Sequence, residues 1–453
     1  MAVEARRFDP RLDAPRVDSA TSVSESLASR LADYLPPKEL IDMPFDSLSA
    51  KLRADYRRSR RGDEYAHVGS QGRHVMVPSW HPLNRTPRIG HGTQYATGSF
   101  EVASAEPVTA ETSEGTDIVS ANIVLPGPRL GRLYDRSLPA MGFEAPIDQE
   151  TLAQGISDLV AILGPDIFVG PDGTIGRAYI RPSVVPGMGP QGVSPSPLLE
   201  IDAAVEAFHW PFYFPPEAAE RAYQGSGLVV IAKPHQRLEP ITGKHATNYG
   251  HAAAIGKEAQ RLGGDEALFF APYSIGADGE RQLELLSSYK GDSEGLREAM
   301  GRVALADGPG EEILAVTKDG TLLIPPMDVN RLGGTTAAYV RDHLAPALGV
   351  ATEERAFNLA QVRDGEIIGL FFAGNASRLA AIGEVRLHDA AGNPLDKIVV
   401  GVPDEVRALI DQYEAEVRGM IPPSDNSLLV PVDLVGGQDA RRRLDSIYAH
   451  WMN

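Results

Sequence analysis

Lys244 lies in the run Gly243-Lys244-His245-Ala246-Thr247-Asn248-Tyr249. An apolar, strand-like segment, Leu228–Ala232, and a turn-rich approach, Pro234–Thr242, lead into it. An Ala-rich stretch follows, about residues 250–262, in which Ala252, Ile255, Ala259 and Leu262 fall on one stripe of a core-facing helix. A lysine just before such a helix sits beside buried structure. Desolvation favours the neutral amine, which is a nucleophile for carbonyl carbon; a Schiff base with pyridoxal phosphate is one chemistry that uses it. Most lysines at a helix start are solvated surface groups, so this run by itself leaves both possibilities open. Lys233 and Lys257 are rivals, the first ending a strand and the second among polar neighbours on the helix.

Other stretches carry compatible chemistry. Tyr179 and Arg181 are two residues apart in an alternating segment, so on a strand they point to one face and can form a carboxylate clamp. Leu332-Gly333-Gly334-Thr335-Thr336 opens a helix expected to run to about Leu348; backbone N–H groups and hydroxyls at such a start suit an anion, and simple threonine capping is the bland alternative. Phe208-His209-Trp210-Pro211-Phe212-Tyr213 is an aromatic, proline-bearing connection. Gly187-Met188-Gly189-Pro190-Gln191-Gly192 fits G-x-G-x-x-G formally, but prolines flank it and no helix follows to seat a pyrophosphate, so it is read as a loop. His209 has no companion set with metal-ligand spacing.

The order Arg177–Pro182, Gly187–Gly189, Phe208–Tyr213, Lys244 to Tyr249 and Gly374-Asn375-Ala376 resembles the branched-chain aminotransferase group of the fold type IV pyridoxal-phosphate enzymes, over roughly residues 75–400. The resemblance implies a two-domain α/β fold with pyridoxal 5'-phosphate between the domains, a homodimer, and transfer of an amino group between a small amino acid and a 2-oxo acid. Lys244 would hold the cofactor aldehyde as a Schiff base and Tyr249 its phenolic oxygen. Arg132, in Arg132-Leu133-Tyr134-Asp135-Arg136, would hold the phosphate with Thr335, Thr336 and Asn375; Arg129 and Arg136 lie close enough to leave that assignment open. Phe100, Trp210 and Tyr213 would wall the substrate, Tyr179 and Arg181 would receive its carboxylate, and Ala376 lies in the turn that faces it. Such aromatic walls point to an L-amino acid with an apolar side chain.

The chain also departs from the pattern. Asp307 stands where the family has a glutamate on the pyridine nitrogen, Glu312 replaces an asparagine, and Asn375 replaces a threonine. About thirty extra residues, 273–302, precede Ala306-Asp307-Gly308. These departures keep two alternatives in view: a lyase of the same fold, resembling aminodeoxychorismate lyases, and a non-catalytic homologue that kept the fold.

The elements that must position these groups divide the chain as follows. Residues 1–65 form a partly helical N-terminal extension with a basic cluster at Arg53, Arg57, Arg58, Arg60 and Arg61. Residues 66–207 form a small domain, 208–216 a linker, and 217–453 a large cofactor-binding domain with its insertion near 273–302. Glu106–Thr116 reads as an acidic surface loop, Gln149–Leu163 as an amphipathic helix, and 402–420 and 438–452 as C-terminal helices.

The length, 453 residues, suffices for two or three domains, and 43% hydrophobic with 23% charged residues is ordinary for a globular protein. The net charge of −18 argues against nucleic acid or an anionic membrane as partner. The absence of cysteine excludes disulfides, thiolate zinc sites and cysteine nucleophiles. No apolar run reaches the roughly 18 residues of a membrane span, and Met1–Arg7 lacks the apolar core of a secretory signal, so the expectation is a cytoplasmic protein.

Overall fold

The computed structural model describes residues 27, 31, 33–36, 38–42, 65–70, 73–85, 95–112, 115–187, 199–276 and 278–449. The basic cluster at 53–61, most of the expected N-terminal helices and most of the Gly187–Gly192 loop lie outside the described residues.

Two β-sheets dominate. The first uses β1 (Tyr65–Ser70), β2 (Arg73–Pro78), β3 (Ser99–Phe100), β4 (Ala103–Thr112), β5 (Gly115–Val124), β6 (Ala178–Pro186) and β7 (Ile201–His209). The second runs from β8 (Leu228–Gln236) and β9 (Glu266–Ile275) through β10 (Arg281–Leu283), β11 (Val303–Leu305), β12 (Glu312–Thr317), β13 (Leu322–Ile324) and β14 (Thr352–Glu354) to β15 (Ile367–Gly374), β16 (Arg378–His388) and β17 (Pro394–Val399). A last strand, β18 (Leu429–Asp433), returns to the first sheet, whose order is β18-β5-β4-β6-β7-β1-β2. The second sheet is ordered β10-β9-β8-β16-β15-β12-β13-β14, with β8 parallel to both β9 and β16.

Apolar periodicity explains the layers. The helix Gln149–Leu163 is capped by the Asp148 carboxylate, which accepts from Thr151 N at 2.7 Å, and it stops at Gly164, where φ is positive. It buries Leu152, Ile156, Leu159 and Leu163 against the first sheet's core, each worth roughly 1.5–3 kcal/mol. The helix Ala246–Arg261 begins four residues earlier than its apolar stripe suggests, which places Tyr249 in its first turn; Ala252, Ile255 and Ala259 are buried as the stripe requires. The Gly320 turn joins β12 to β13 as an antiparallel hairpin.

Two segments differ from the sequence expectation. Residues 106–112 and 115–116 are not a surface loop: β4 and β5 form a long antiparallel ladder through Glu106↔Asn122 to Thr112↔Gly115. The acidic composition suggested solvent, but the Glu106 carboxylate is buried against Arg378 at 2.6 Å. The C-terminal residues 429–448 pack with the first sheet rather than the second. Val432, Leu434, Leu444 and Tyr448 join its core, and the helix Val435–Ile447 lies on the helix Gln149–Leu163, with Gly437 so close to Ala161 O that no side chain fits between them. The insertion is integral to the second sheet: β10 and β11 both pair with β9, and the helix Ser293–Arg302 buries Leu296, Ala299 and Met300 in that sheet's core.

Candidate active site

A cavity of about 800 Å³ opens between the two sheets, and the thirteen residues assigned to cofactor or substrate in the sequence all line it, as does Arg129 but not Arg136. Lys244, Arg132 and Tyr249 are there with Asp307, Thr335, Thr336 and Asn375. So are Phe100, Tyr179, Arg181, Trp210, Tyr213 and Ala376.

Lys244 enters the cavity from the short connection between β8 and the helix Ala246–Arg261. Its backbone is strapped from several sides. Lys244 N donates to Ser137 Oγ at 3.0 Å, its carbonyl accepts from Phe100 N at 3.1 Å, and Asn248 Nδ2 reaches back to Gly243 O at 2.9 Å. Ser99 and His245 add a β-bridge and a 3.0 Å side-chain contact. The Nζ donates to the Tyr249 hydroxyl and lies 5.1 Å from the centre of the Phe100 ring. Burial pushes the ammonium down to about 8, opposed by the Glu101 carboxylate and assisted by the Arg132 guanidinium. The rival lysines are accounted for elsewhere: Lys233 is buried against Glu258 and Ala390 O, and Lys257 is exposed on its helix.

Around the helix start Thr335–Tyr339 the cavity is cationic. Arg132 donates to both carboxylate oxygens of Glu101 and, from Nη1, to Gly333 O at 3.1 Å. Arg129, one turn earlier on the same helix, is buried; its Nη2 reaches Thr336 Oγ1 at 3.5 Å and its Nε has no partner among the described residues. Burial pushes the Arg129 guanidinium down to about 10. Glu312 occupies part of the expected anion seat: its carboxylate accepts from Gly334 N and is neutralised by buried Arg331. Asn375 presents both side-chain polar atoms, Nδ2 and Oδ1, buried and without a partner among the described residues, on a turn whose carbonyls are held by Arg177. A buried amide normally has hydrogen bonds, and here both of its polar atoms are left unused by the described residues.

Asp307 lies buried on the opposite side. Its Oδ1 accepts from Arg237 Nε at 2.8 Å, and the Arg237 guanidinium stacks 3.8 Å from the centre of Phe269. Burial pushes the Asp307 carboxyl up to about 7, with Arg237 pulling it down.

The aromatic wall follows from strand register. Tyr179 faces Phe208 across β6 and β7, and Arg181 faces Glu206. Tyr179 packs edge-on against Trp210 at 4.5 Å, and Trp210 against Tyr213 at 6.0 Å. Arg181 is exposed, with Nη2 3.1 Å from the Tyr179 hydroxyl and its guanidinium 5.5 Å from the Phe100 ring centre. Glu206, which the sequence reading missed, is buried in this wall with Asn84 Nδ2 at 3.3 Å. Glu101, Arg237 and Glu311 were also missed. The one signal for Glu206 was a carboxylate interrupting the apolar run of β7.

None of the protein-family models matches the chain, and none of the curated proteins does. Solved structures do. A branched-chain amino acid aminotransferase from T.th., crystallised with pyridoxamine 5'-phosphate, superposes with a TM-score of 0.57 at 22% identity, covering 81% of this chain and 99% of that one. The Escherichia coli branched-chain amino acid aminotransferase gives 0.56 at 20% identity, covering 81% and 98%. The enzyme of Thermobaculum terrenum in its PLP-form gives 0.55 at 19% identity, covering 82% and 98%. The chain is similar to these proteins in fold: it has the α/β, fold type IV architecture of the branched-chain aminotransferases.

Proposed function

We propose that this chain is a pyridoxal-phosphate-dependent aminotransferase that moves the amino group of an L-amino acid with an apolar side chain to a 2-oxo acid, acting as a homodimer in the cytoplasm. The observation that carries the proposal is Lys244: a buried, strapped amine of lowered basicity, hydrogen-bonded to Tyr249, in the cavity that also holds the unpartnered Asn375 amide and Arg129 Nε.

The residues present fit the cofactor. Arg129, Arg132, Thr335, Thr336 and Asn375 would hold its phosphate, and Asn375 and Arg129 have donors that no other described residue satisfies. Tyr249 would meet its phenolic oxygen and Asp307 its ring nitrogen. Bound pyridoxal phosphate supplies an aldehyde for Lys244 and a ring that stabilises negative charge at the substrate's α-carbon.

The protein's own groups do the rest. Lys244 Nζ, near neutrality in basicity, takes the proton from the substrate α-carbon and later returns one. Tyr249 orients Nζ through its hydroxyl. Tyr179 and Arg181, on one face of β6, receive the substrate carboxylate, beside the Ala376 turn. Phe100, Trp210 and Tyr213 wall off water and favour an apolar side chain. Glu101 neutralises Arg132, so Lys244 does not face an uncompensated guanidinium.

The test is the visible absorption spectrum of the purified protein with pyridoxal phosphate, wild type against Lys244→Ala, followed by addition of L-valine or L-leucine and 2-oxoglutarate. A lysine-dependent band that shifts to the pyridoxamine form with donor is the expected result. A lysine-dependent band that ignores these donors directs attention to a lyase. No band in the wild type overturns the enzyme.

A further inference from the structure

Behind Tyr213 lies a cluster that the mechanism above does not use. The Tyr213 hydroxyl donates to Glu266 Oε2 at 3.1 Å, and the nearby Glu311 carboxyl acts on the same phenol. Both acids are buried, Glu266 at 6% and Glu311 at 5% exposure. Glu266 Oε1 accepts from Ala267 N at 2.9 Å and Glu311 Oε2 from Gly310 N at 3.0 Å, while Glu311 Oε1 is buried with no partner among the described residues.

Two carboxylates on one phenol, away from water, cannot both ionise cheaply. Among the described residues no basic side chain pairs with either. The surrounding cations are committed: Arg221 to Asp265, Arg237 to Asp307, Arg378 to Glu106 and Glu414. Arg177, beside Tyr223, holds the Asn375–Ala376 carbonyls. The facing acids Asp265 and Asp307 add repulsion, and Lys244 across the cavity attracts. Burial and this repulsion push Glu311 up to about 7 and Glu266 well above the usual carboxylate range.

We propose that Glu266 and Glu311 share one proton on the Tyr213 hydroxyl and that this acid pair is a positioning device, holding the Tyr213 ring as a wall of the substrate cavity. With the proton present, one carboxyl O–H donates to the phenol oxygen while the phenol donates to the other carboxylate, and every oxygen of the triad is satisfied. Once it is lost, the single phenolic hydrogen serves only one of two adjacent carboxylates. The other is left as an unpaired buried charge, and the Tyr213 wall loosens.

Two measurements on the full-length chain test this. Infrared spectra at neutral pH detect a protonated buried carboxyl through its carbonyl stretch. The wild type shows the band, Asp307→Asn, which removes the other buried carboxyl of raised pKa, keeps it, and Glu266→Gln or Glu311→Gln added to Asp307→Asn each remove it. Absence from the wild type, or persistence in both glutamine variants, overturns the proposal. The second measurement rests on the aminotransferase reading: KM for the amino donor rises roughly tenfold per pH unit above neutrality while kcat changes much less, and Glu311→Gln, which keeps shape and a donor, makes KM pH-independent. A Glu311→Gln profile matching the wild type overturns the proposal. Absence of turnover in every variant sinks the aminotransferase, and the infrared result then decides the acid pair alone.

Discussion

Arg132 and Glu101 form a bidentate ion pair inside the cavity wall, Nε to Oε1 at 2.7 Å and Nη2 to Oε2 at 2.8 Å, with side-chain exposures of 9% and 1%. The arginine expected from the sequence to meet a phosphate is thus already neutralised, and its partner stands one residue beyond Phe100. Glu101 also acts on Lys244, whose ammonium it stabilises against burial and against Arg132.

Replacing Glu101 by Gln therefore frees the Arg132 charge and lowers the basicity of Lys244 further below about 8. Breaking a buried pair at one partner costs about 3–5 kcal/mol. Chemical denaturation gives the stability loss, and NMR of the isotopically methylated lysine followed through its titration gives the shift. An unmoved titration would show that Glu101 and Lys244 are not coupled.

Lys244 itself carries a stability cost. Its folded value, about 8, lies below the ordinary 10.5, so the native state binds fewer protons than the unfolded chain between those values. The destabilisation is full below about pH 8 and is relieved as pH rises toward 10.5. Lys244→Met is expected to stabilise the cofactor-free protein at pH 7 by about 3 kcal/mol, and the gap to the wild type should narrow in alkaline buffer. A constant gap across pH would contradict the sign argued here.

Asn375 is expected to matter for the cofactor before it matters for folding. Its amide is buried without a partner among the described residues, so Asn375→Ala removes a donor that the empty protein does not use. A hydrogen bond to a charged group contributes about 1.5–3 kcal/mol, so pyridoxal phosphate affinity should fall by roughly 10- to 100-fold with little change in melting temperature. Titration by fluorescence quenching measures the first and calorimetry the second.

Arg378 tests how the two sheets are joined. It adopts a left-handed backbone, φ 56°, at the start of β16, and pairs with Glu106 of β4 and with Glu414 of the helix Asp404–Val417. Arg378→Ala leaves the buried Glu106 carboxylate without its cation, while the half-buried Glu414 keeps Arg418 at 3.1 Å, and a loss of about 3–5 kcal/mol is expected in urea melts. A loss below about 1 kcal/mol would mean that the triad relaxes into water.

Local order along the chain encodes much of the cavity. Lys244 is brought to it by a strand, a turn and a helix whose apolar spacing is readable in one stretch, and Tyr249 follows on that helix's first turn. Tyr179 and Arg181 share a face because side chains alternate along a strand. Trp210 and Tyr213 sit in a short connection with no freedom to leave it. Order and neighbours therefore carried thirteen residues to one cavity.

The charged partners had to wait for the folded chain. Glu101 meets Arg132, Arg237 meets Asp307 and Glu106 meets Arg378 across separations that leave no periodic signal, and a carboxylate in a sequence reads as a solvated one until its cation is found. By sequence alone Glu106 reads as part of a surface loop for that reason. Residues 429–448 follow the large domain in the chain yet join the first sheet through β18 and β5, and a strand's pattern does not say which sheet it joins. Pairing buried charge is a property of three-dimensional proximity, and proximity between residues far apart in the chain is set by packing rather than by composition.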